Sequence, residues 1–210
     1  TRLTDGKWEV SEIVRVDEKE KEVYFMANRE SVLESHLYKV SFSGKGLELL
    51  TLEEGVHSIN FSPSGEFFID SYSSSSEPNR ILLKSKEGAT IRLIRETDRS
   101  QYDAYDWSKS IYIKFPTHDG TTLLDGVIVL PVGYVKGKKY PMIVYNYGMP
   151  GSQIVKNQWG GILNQFLAQE GFIILSLDSR GMGGRGEAFK NLSYGDISRY
   201  LSRDHIAGLD

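Results

Sequence analysis

Over the first hundred residues, apolar positions come in short runs broken by Gly, Ser, Pro, Asn and charged residues. The β-rich runs Trp8–Val16, Val23–Ala27, His36–Phe42 and Leu47–Leu52 form one set of four, and His57–Phe61, Glu66–Tyr72, Arg80–Lys84 and Thr90–Ile94 form a second. Each run of the second set starts 43 to 49 residues after its counterpart: His57 after Trp8, Glu66 after Val23, Arg80 after His36, Thr90 after Leu47. Four strands in each ~40–50 residues is the spacing of β-propeller blades. The breaks have turn chemistry. Ser62-Pro63-Ser64-Gly65 predicts a tight turn, Ser43-Gly44-Lys45-Gly46 a hairpin connection, and the mixed-charge run Asp17–Glu22 a solvated hairpin tip. Two blades do not close a propeller, because each blade's faces are buried by its neighbours; further blades are expected from a longer chain or a partner.

After Thr97 the period is lost until Lys109, which predicts a connector, and a different pattern follows. Ile111–Pro116 and Leu123–Pro131 flank Thr117-His118-Asp119-Gly120 and predict a hairpin. The continuous apolar run Met142–Tyr147 ends in a Gly/Pro turn, a helical segment follows around Gln158–Gln169, and a second run, Phe172–Leu177, leads to Asp178. Strand, crossover helix and strand in that order predict a parallel pair. A last helix is expected over Asp196–Asp210, with Ile197, Leu201 and Ile206 near helical spacing and Asp196 as its cap. The organisation is therefore two four-stranded antiparallel blades over residues 1–96, a linker over 97–109, and an α/β domain over 110–210 that stops early.

Composition narrows the function classes. A formal net charge of -3 with 25% charged residues provides no basic field for nucleic acid. There is no cysteine, hence no disulfide or thiolate metal site, and the four histidines, at 36, 57, 118 and 205, are scattered without metal-ligand spacing. No run approaches the ~20 apolar residues of a membrane helix, and the first residues, Thr1-Arg2-Leu3-Thr4-Asp5-Gly6, do not resemble a signal peptide. No cofactor or metal is implied.

Several motifs have a chemical reading and a plainer one. Gly181, Gly183 and Gly186 spell G-x-G-x-x-G after a strand, but no second strand with an acidic end follows, so they are expected to shape a sharp surface loop. Glu53-Glu54 is expected to be a polar turn. Ser202-Arg203-Asp204-His205 has the letters of a catalytic triad, but neighbours on a helix face different ways. Asp178 and Arg180 are expected to act as an ion pair or loop anchor. Asn191-Leu192-Ser193 matches a glycosylation acceptor by letter only.

YPMIVYNYGMPGSQ at Tyr140–Gln153, Trp159 and FIILSLDSRGMGGRGEAF from Phe172 resemble the opening of the catalytic domain in the prolyl oligopeptidase family of serine peptidases. Upstream, TDGKWEVSEI, VYFMANRE, HLYKVSF and HSINFSPSGEFFIDSYSS are similar to the last two propeller blades of that family's dipeptidyl peptidase IV branch. The resemblance implies an eight-bladed propeller capping an α/β-hydrolase domain, a peptide substrate, removal of N-terminal dipeptides (Xaa-Pro or Xaa-Ala) through an acyl-enzyme, a homodimeric parent, and a periplasmic or secreted location. Of the family's catalytic residues it carries over one, Tyr147, at the expected end of the strand, as a donor to the oxyanion. G-x-S-x-G is absent from the 210 residues, and the acid and histidine of the triad belong later in that fold. The chain is thus expected to be a catalytically incomplete piece, inert alone, that self-associates through the exposed edge of Met142–Tyr147. Other readings are a related acylaminoacyl peptidase or endo-oligopeptidase, and a non-catalytic propeller-derived binding module.

Overall fold

A computed structural model describes residues 2–100 and 102–209; Thr1, Gln101 and Asp210, the last being the end of the expected final helix, lie outside the described residues. The chain divides into two compact units. The first runs to Asp98 and also takes in Lys156–Trp159; the second comprises Arg99–Val155 and the residues from Gly160 onward.

The first unit is two antiparallel meanders of four strands. β1 (Val10–Asp17), β2 (Glu22–Ala27), β3 (His36–Ser41) and β4 (Glu48–Leu49) make one sheet in chain order, and β5 (Val56–Phe61), β6 (Phe67–Ser73), β7 (Arg80–Ser85) and β8 (Thr90–Glu96) make the other. The expected turns are present: Gly65 N–H donates to Ser62 O at 3.0 Å, and the charged tip closes β1 on β2 with Asp17 opposite Glu22. One expectation shrinks. Leu47–Leu52 gives a strand of only two residues, followed by a further backbone bond, Leu50 N–H to Leu37 O at 2.8 Å, and a side-chain one, Leu37 N–H to Thr51 Oγ1. Alternation along the strands places Tyr24, Met26, Leu37, Leu50 and Phe68 in one core layer, while Phe25, Ala27, Tyr38 and Val40 fill another face beneath Leu3 and Trp8. The outlying segment joins this unit through Asn157, whose Nδ2 donates to Glu34 Oε1 at 2.8 Å and whose Oδ1 accepts from Ser75 N–H at 2.9 Å.

This unit also contains a buried polar cluster that corrects two expectations. His36 and His57 are not scattered: their rings lie 5.1 Å apart. His57 Nδ1 is 2.8 Å from Asp70 Oδ1 and its Nε2 is 2.8 Å from Glu53 O. Lys84, 1% exposed, donates to Glu53 Oε2 at 2.7 Å and stands 3.3 Å from Asp70 Oδ2. Glu53 is therefore a partner of a buried ammonium and more than a polar turn. Burial raises its carboxyl, but the hydrogen bond and charge of Lys84 outweigh that and hold it below the ordinary value.

The second unit is a four-stranded mixed sheet. β9 (Ser110–Pro116) and β10 (Leu123–Val129) form the expected hairpin, and β11 (Met142–Tyr145) runs parallel to β12 (Ile173–Leu177), in the order β11-β12-β10-β9. β12 is antiparallel to β10, and β11, at the end of the strand order, is an edge strand. Helix α1 (Ile162–Gln169) begins later than the expected Gln158, because residues 156–159 belong to the first unit. It ends in a Schellman turn: Gly171, at φ 89°, donates to Ala168 O, and Phe172 N–H donates to Leu167 O at 3.0 Å. One sheet face packs Val129 and Ile174 against Ala168 of α1, and the other buries Phe115, Leu124, Leu175 and Leu177 with Phe189. After a short helix α2 (Glu187–Lys190), helix α3 (Ile197–Ala207) is capped as expected, Asp196 Oδ1 accepting from Arg199 N–H at 3.0 Å. Among the described residues, no helix is long and apolar enough to cross a membrane.

Candidate functional site

Strand β11 stops at Tyr145, so Tyr147 is not at a strand end as expected; it stands two residues into the following loop. That loop is held at three places. Gly148, at φ 78°, passes so close to α3 that a Cβ there would lie 2.1 Å from Leu201 Cδ1. Ser152 O accepts from Gly183 N–H at 2.7 Å. Farther on, the N–H groups of Ile154 and Val155 donate to one oxygen of Asp178, Oδ1, at 3.0 and 3.3 Å. Tyr147 itself is 58% exposed, and among the described residues its hydroxyl has no hydrogen-bond partner. A phenol free to donate, on a loop fixed on both sides, suits stabilisation of charge developing on a substrate oxygen.

The bed of this loop is the stretch after β12. Residues Asp178 to Gly183 are buried, which corrects the expected surface loop. The glycines serve close packing: a Cβ on Gly183 would lie 2.6 Å from Gly151 O, and one on Gly181 2.4 Å from Ser193 Cβ. With the Gly183 N–H already used and only a four-residue helix following, the loop is not arranged as a dinucleotide cradle. Among the described residues, no group of three or more His, Asp or Glu side chains is placed to hold a metal ion.

Asp178 and Arg180 both anchor, but not to each other. Arg180 donates from Nε and Nη2 to the two oxygens of Asp204 at 2.9 and 2.7 Å and from Nη1 to Asp119 at 2.7 Å, with its guanidinium 4.4 Å from the Tyr200 ring centre. These bonds hold the Asp119 carboxyl far below the usual range and raise Arg180 further. Arg180 Nη2 also donates to His118 Nδ1 at 2.8 Å, so Asp204 and His118 are committed to this arginine. His205 takes no part in it: its Nε2 is buried and, among the described residues, has no hydrogen-bond partner. The letters Ser202 to His205 thus form no triad.

Asp178 lies beside a second carboxylate. Its N–H donates to Asp125 O at 3.0 Å, and the Asp125 side chain takes Lys114 Nζ at 2.8 Å and Arg185 on its other oxygen. Burial pushes the Asp178 carboxyl up to about 6; the two loop N–H groups pull it down, the Asp125 charge raises it and Arg185 lowers it. No sequence signal points to this pairing, because the groups that Asp178 holds are backbone.

Comparison with known proteins follows this geometry along the whole chain. The family profile described as the dipeptidyl peptidase IV (DPP IV) N-terminal region matches residues 1–79. The chain is 34% identical over 213 residues to "Probable dipeptidyl-aminopeptidase B" of Emericella nidulans, with 98% of this chain and 23% of the relative covered. It is 30% identical over 223 residues to dipeptidyl peptidase 8 of Homo sapiens, covering 99% of this chain and 25% of the relative. Among solved structures, Porphyromonas gingivalis dipeptidyl peptidase 4 superposes with a TM-score of 0.92 at 26% identity, over 99% of this chain and 29% of that one. The chain spans about a quarter of the length of the curated relatives it matches.

Proposed function

Given that the chain belongs to the dipeptidyl peptidase IV branch of the prolyl oligopeptidase family, we propose that it is one part of a serine exopeptidase that releases N-terminal dipeptides from peptides. In this reading the first unit contributes two blades of a larger propeller. The second contributes the first strands of an α/β-hydrolase domain, for which the order β11-β12-β10-β9 and the crossover helix α1 are the support. Tyr147 donates its hydroxyl to the oxyanion formed when a serine attacks the scissile carbonyl. A fixed donor at that point binds the tetrahedral intermediate more tightly than the ground-state carbonyl.

The observation that carries the proposal is the exposed, unpartnered Tyr147 hydroxyl on a loop pinned at Gly148, Ser152 and Ile154. The nucleophile, acid and histidine must come from residues outside this sequence, so the 210-residue chain alone is inactive. Alone, it also self-associates. β11 is an edge strand with Met142 45%, Val144 37% and Tyr145 59% exposed, an apolar edge open to another chain. In sedimentation over a dilution series, Val144→Lys should shift the chain towards monomer; a wild-type chain already monomeric at every concentration sinks this point.

The test of the function is the intact mass of the native gene product, followed by hydrolysis of a Gly-Pro chromogenic dipeptide. A product several hundred residues longer that cleaves the substrate, and loses about 10²–10³ in kcat with Tyr147→Phe, is the expected result. A native chain ending near Asp210 that cleaves nothing would replace the peptidase reading with that of a propeller-derived binding module.

A further inference from the structure

Asp178 is an expensive way to make two hydrogen bonds. Its side chain is buried, Asp125 adds a like charge next to it, and Arg185 and Lys114 are already bound to Asp125. The guanidinium nearest in sequence, Arg180, is turned to Asp204 and Asp119. What Asp178 itself receives is the N–H of Ile154 and of Val155, both on Oδ1. An asparagine would offer the same acceptor oxygen without a buried charge. The carboxylate adds only strength of grip, since hydrogen bonds to an ionised acceptor are about twice as strong as neutral ones. The backbone so gripped is the downstream end of the loop that carries Tyr147; its middle is held by Gly183 N–H on Ser152 O and its upstream end by Gly148 against Leu201.

We propose that Asp178 is a positioning residue for Tyr147: in its ionised form it fixes the Gly148–Val155 loop so that the tyrosine hydroxyl is held where the oxyanion forms. The proposal rests on the oxyanion reading of Tyr147 given above. The groups that face Asp178 are the Asp125 side chain on β10, with Lys114 of β9 behind it, Arg185 of its own loop, and the two loop N–H groups. Protonation as the pH falls through about 6 weakens the grip on the loop. A shift of ~1 Å in a catalytic group commonly costs about 10²-fold in rate.

The test is a double-variant cycle in the full-length polypeptide that carries these residues, with kcat and KM read separately on a Gly-Pro chromogenic dipeptide. Asp178→Ala is expected to lower kcat by about 10- to 10²-fold with KM changed by less than about 3-fold. In a Tyr147→Phe background the same change should cost less than about 3-fold, because the hydroxyl it positions is gone. Asp178→Asn, which keeps the acceptor oxygen, should recover most of the loss; if the alanine variant does not fold, Asp178→Leu, close to aspartate in size and unable to accept the two N–H groups, takes its place in the cycle. Amide exchange is the second readout. In the wild type, protection at Ile154 and Val155 should fall below about pH 6 relative to Leu175, and in Asp178→Asn it should be pH-independent. Equal losses in both backgrounds, or exchange at Ile154 and Val155 that is unaltered in the variants, would overturn the proposal. Wild-type kcat in Tyr147→Phe is a different result, overturning the oxyanion reading instead.

Discussion

Two buried aspartates, one in each unit, show opposite uses of charge. Asp70, fully buried in β6, has a polar partner on each side, the His57 ring from β5 at 2.8 Å and the Lys84 ammonium from β7 at 3.3 Å. Its charge is matched by side chains on neighbouring strands, and the cluster stitches one sheet across three of them. Asp178, buried to a similar degree, touches no cation directly among the described residues and has Asp125 for a neighbour. The first pattern serves cohesion of the fold. The second costs stability and is explained by what it holds in place, the Tyr147 loop.

Substitutions can break this contrast at either end. The largest effect is expected from Lys84→Met, which leaves the buried Asp70 and the half-buried Glu53 without their shared ammonium. Removing one partner of a buried pair commonly costs about 3–5 kcal/mol, and urea unfolding should read that loss. Arg180→Lys comes next. A lysine cannot span both oxygens of Asp204 and also reach Asp119, so buried acceptors are left unmet at roughly 2–4 kcal/mol. Gly183→Ala places a methyl 2.6 Å from Gly151 O, a backbone atom that must move, at about 1–3 kcal/mol. Because that contact lies inside the Tyr147 loop, kcat of the full-length protein should fall along with the melting temperature. Asp196→Ala removes the cap of α3 and an exposed bond from the Ser198 hydroxyl and should cost about 1 kcal/mol, a loss of roughly 2–4 °C in melting temperature with kcat unchanged.

The two meanders were legible because alternation and turn chemistry are local: Ser62 to Gly65 and the Asp17–Glu22 tip fold by their own residues. The Asp196 cap was legible for the same reason. The His57, Asp70 and Lys84 cluster was not, since it depends on register. Ile59 lies opposite Asp70 and Leu82 opposite Asp70, which puts His57 and Lys84 two residues along on the same face, and only the folded pairing fixes those offsets. Residues 156–159 read as the start of a helix, yet their backbone bonds are made in the first unit, where Asn157 N–H donates to Leu33 O at 2.8 Å. Tyr147 was found through family resemblance, and its loop position came only from the structure. Asp178 drew notice as an anchor, but its partners are two amides whose side chains, isoleucine and valine, carry no trace of the bond.

The most direct test of the contrast is the stability of Asp178→Asn against wild type by urea unfolding at pH 8 and at pH 4. The Asp178 carboxyl is raised from the ordinary 3.8 to about 6, so the stability contributed by its neutral form is complete below about 3.8 and lost as the pH rises through about 6. Asparagine removes that loss. The account predicts a variant more stable than wild type by up to about 3 kcal/mol at pH 8, with the gain vanishing near pH 4. An Asp178→Asn protein less stable than wild type at pH 8 would contradict it, and would place Asp178 with Asp70 among the charges that hold the fold together.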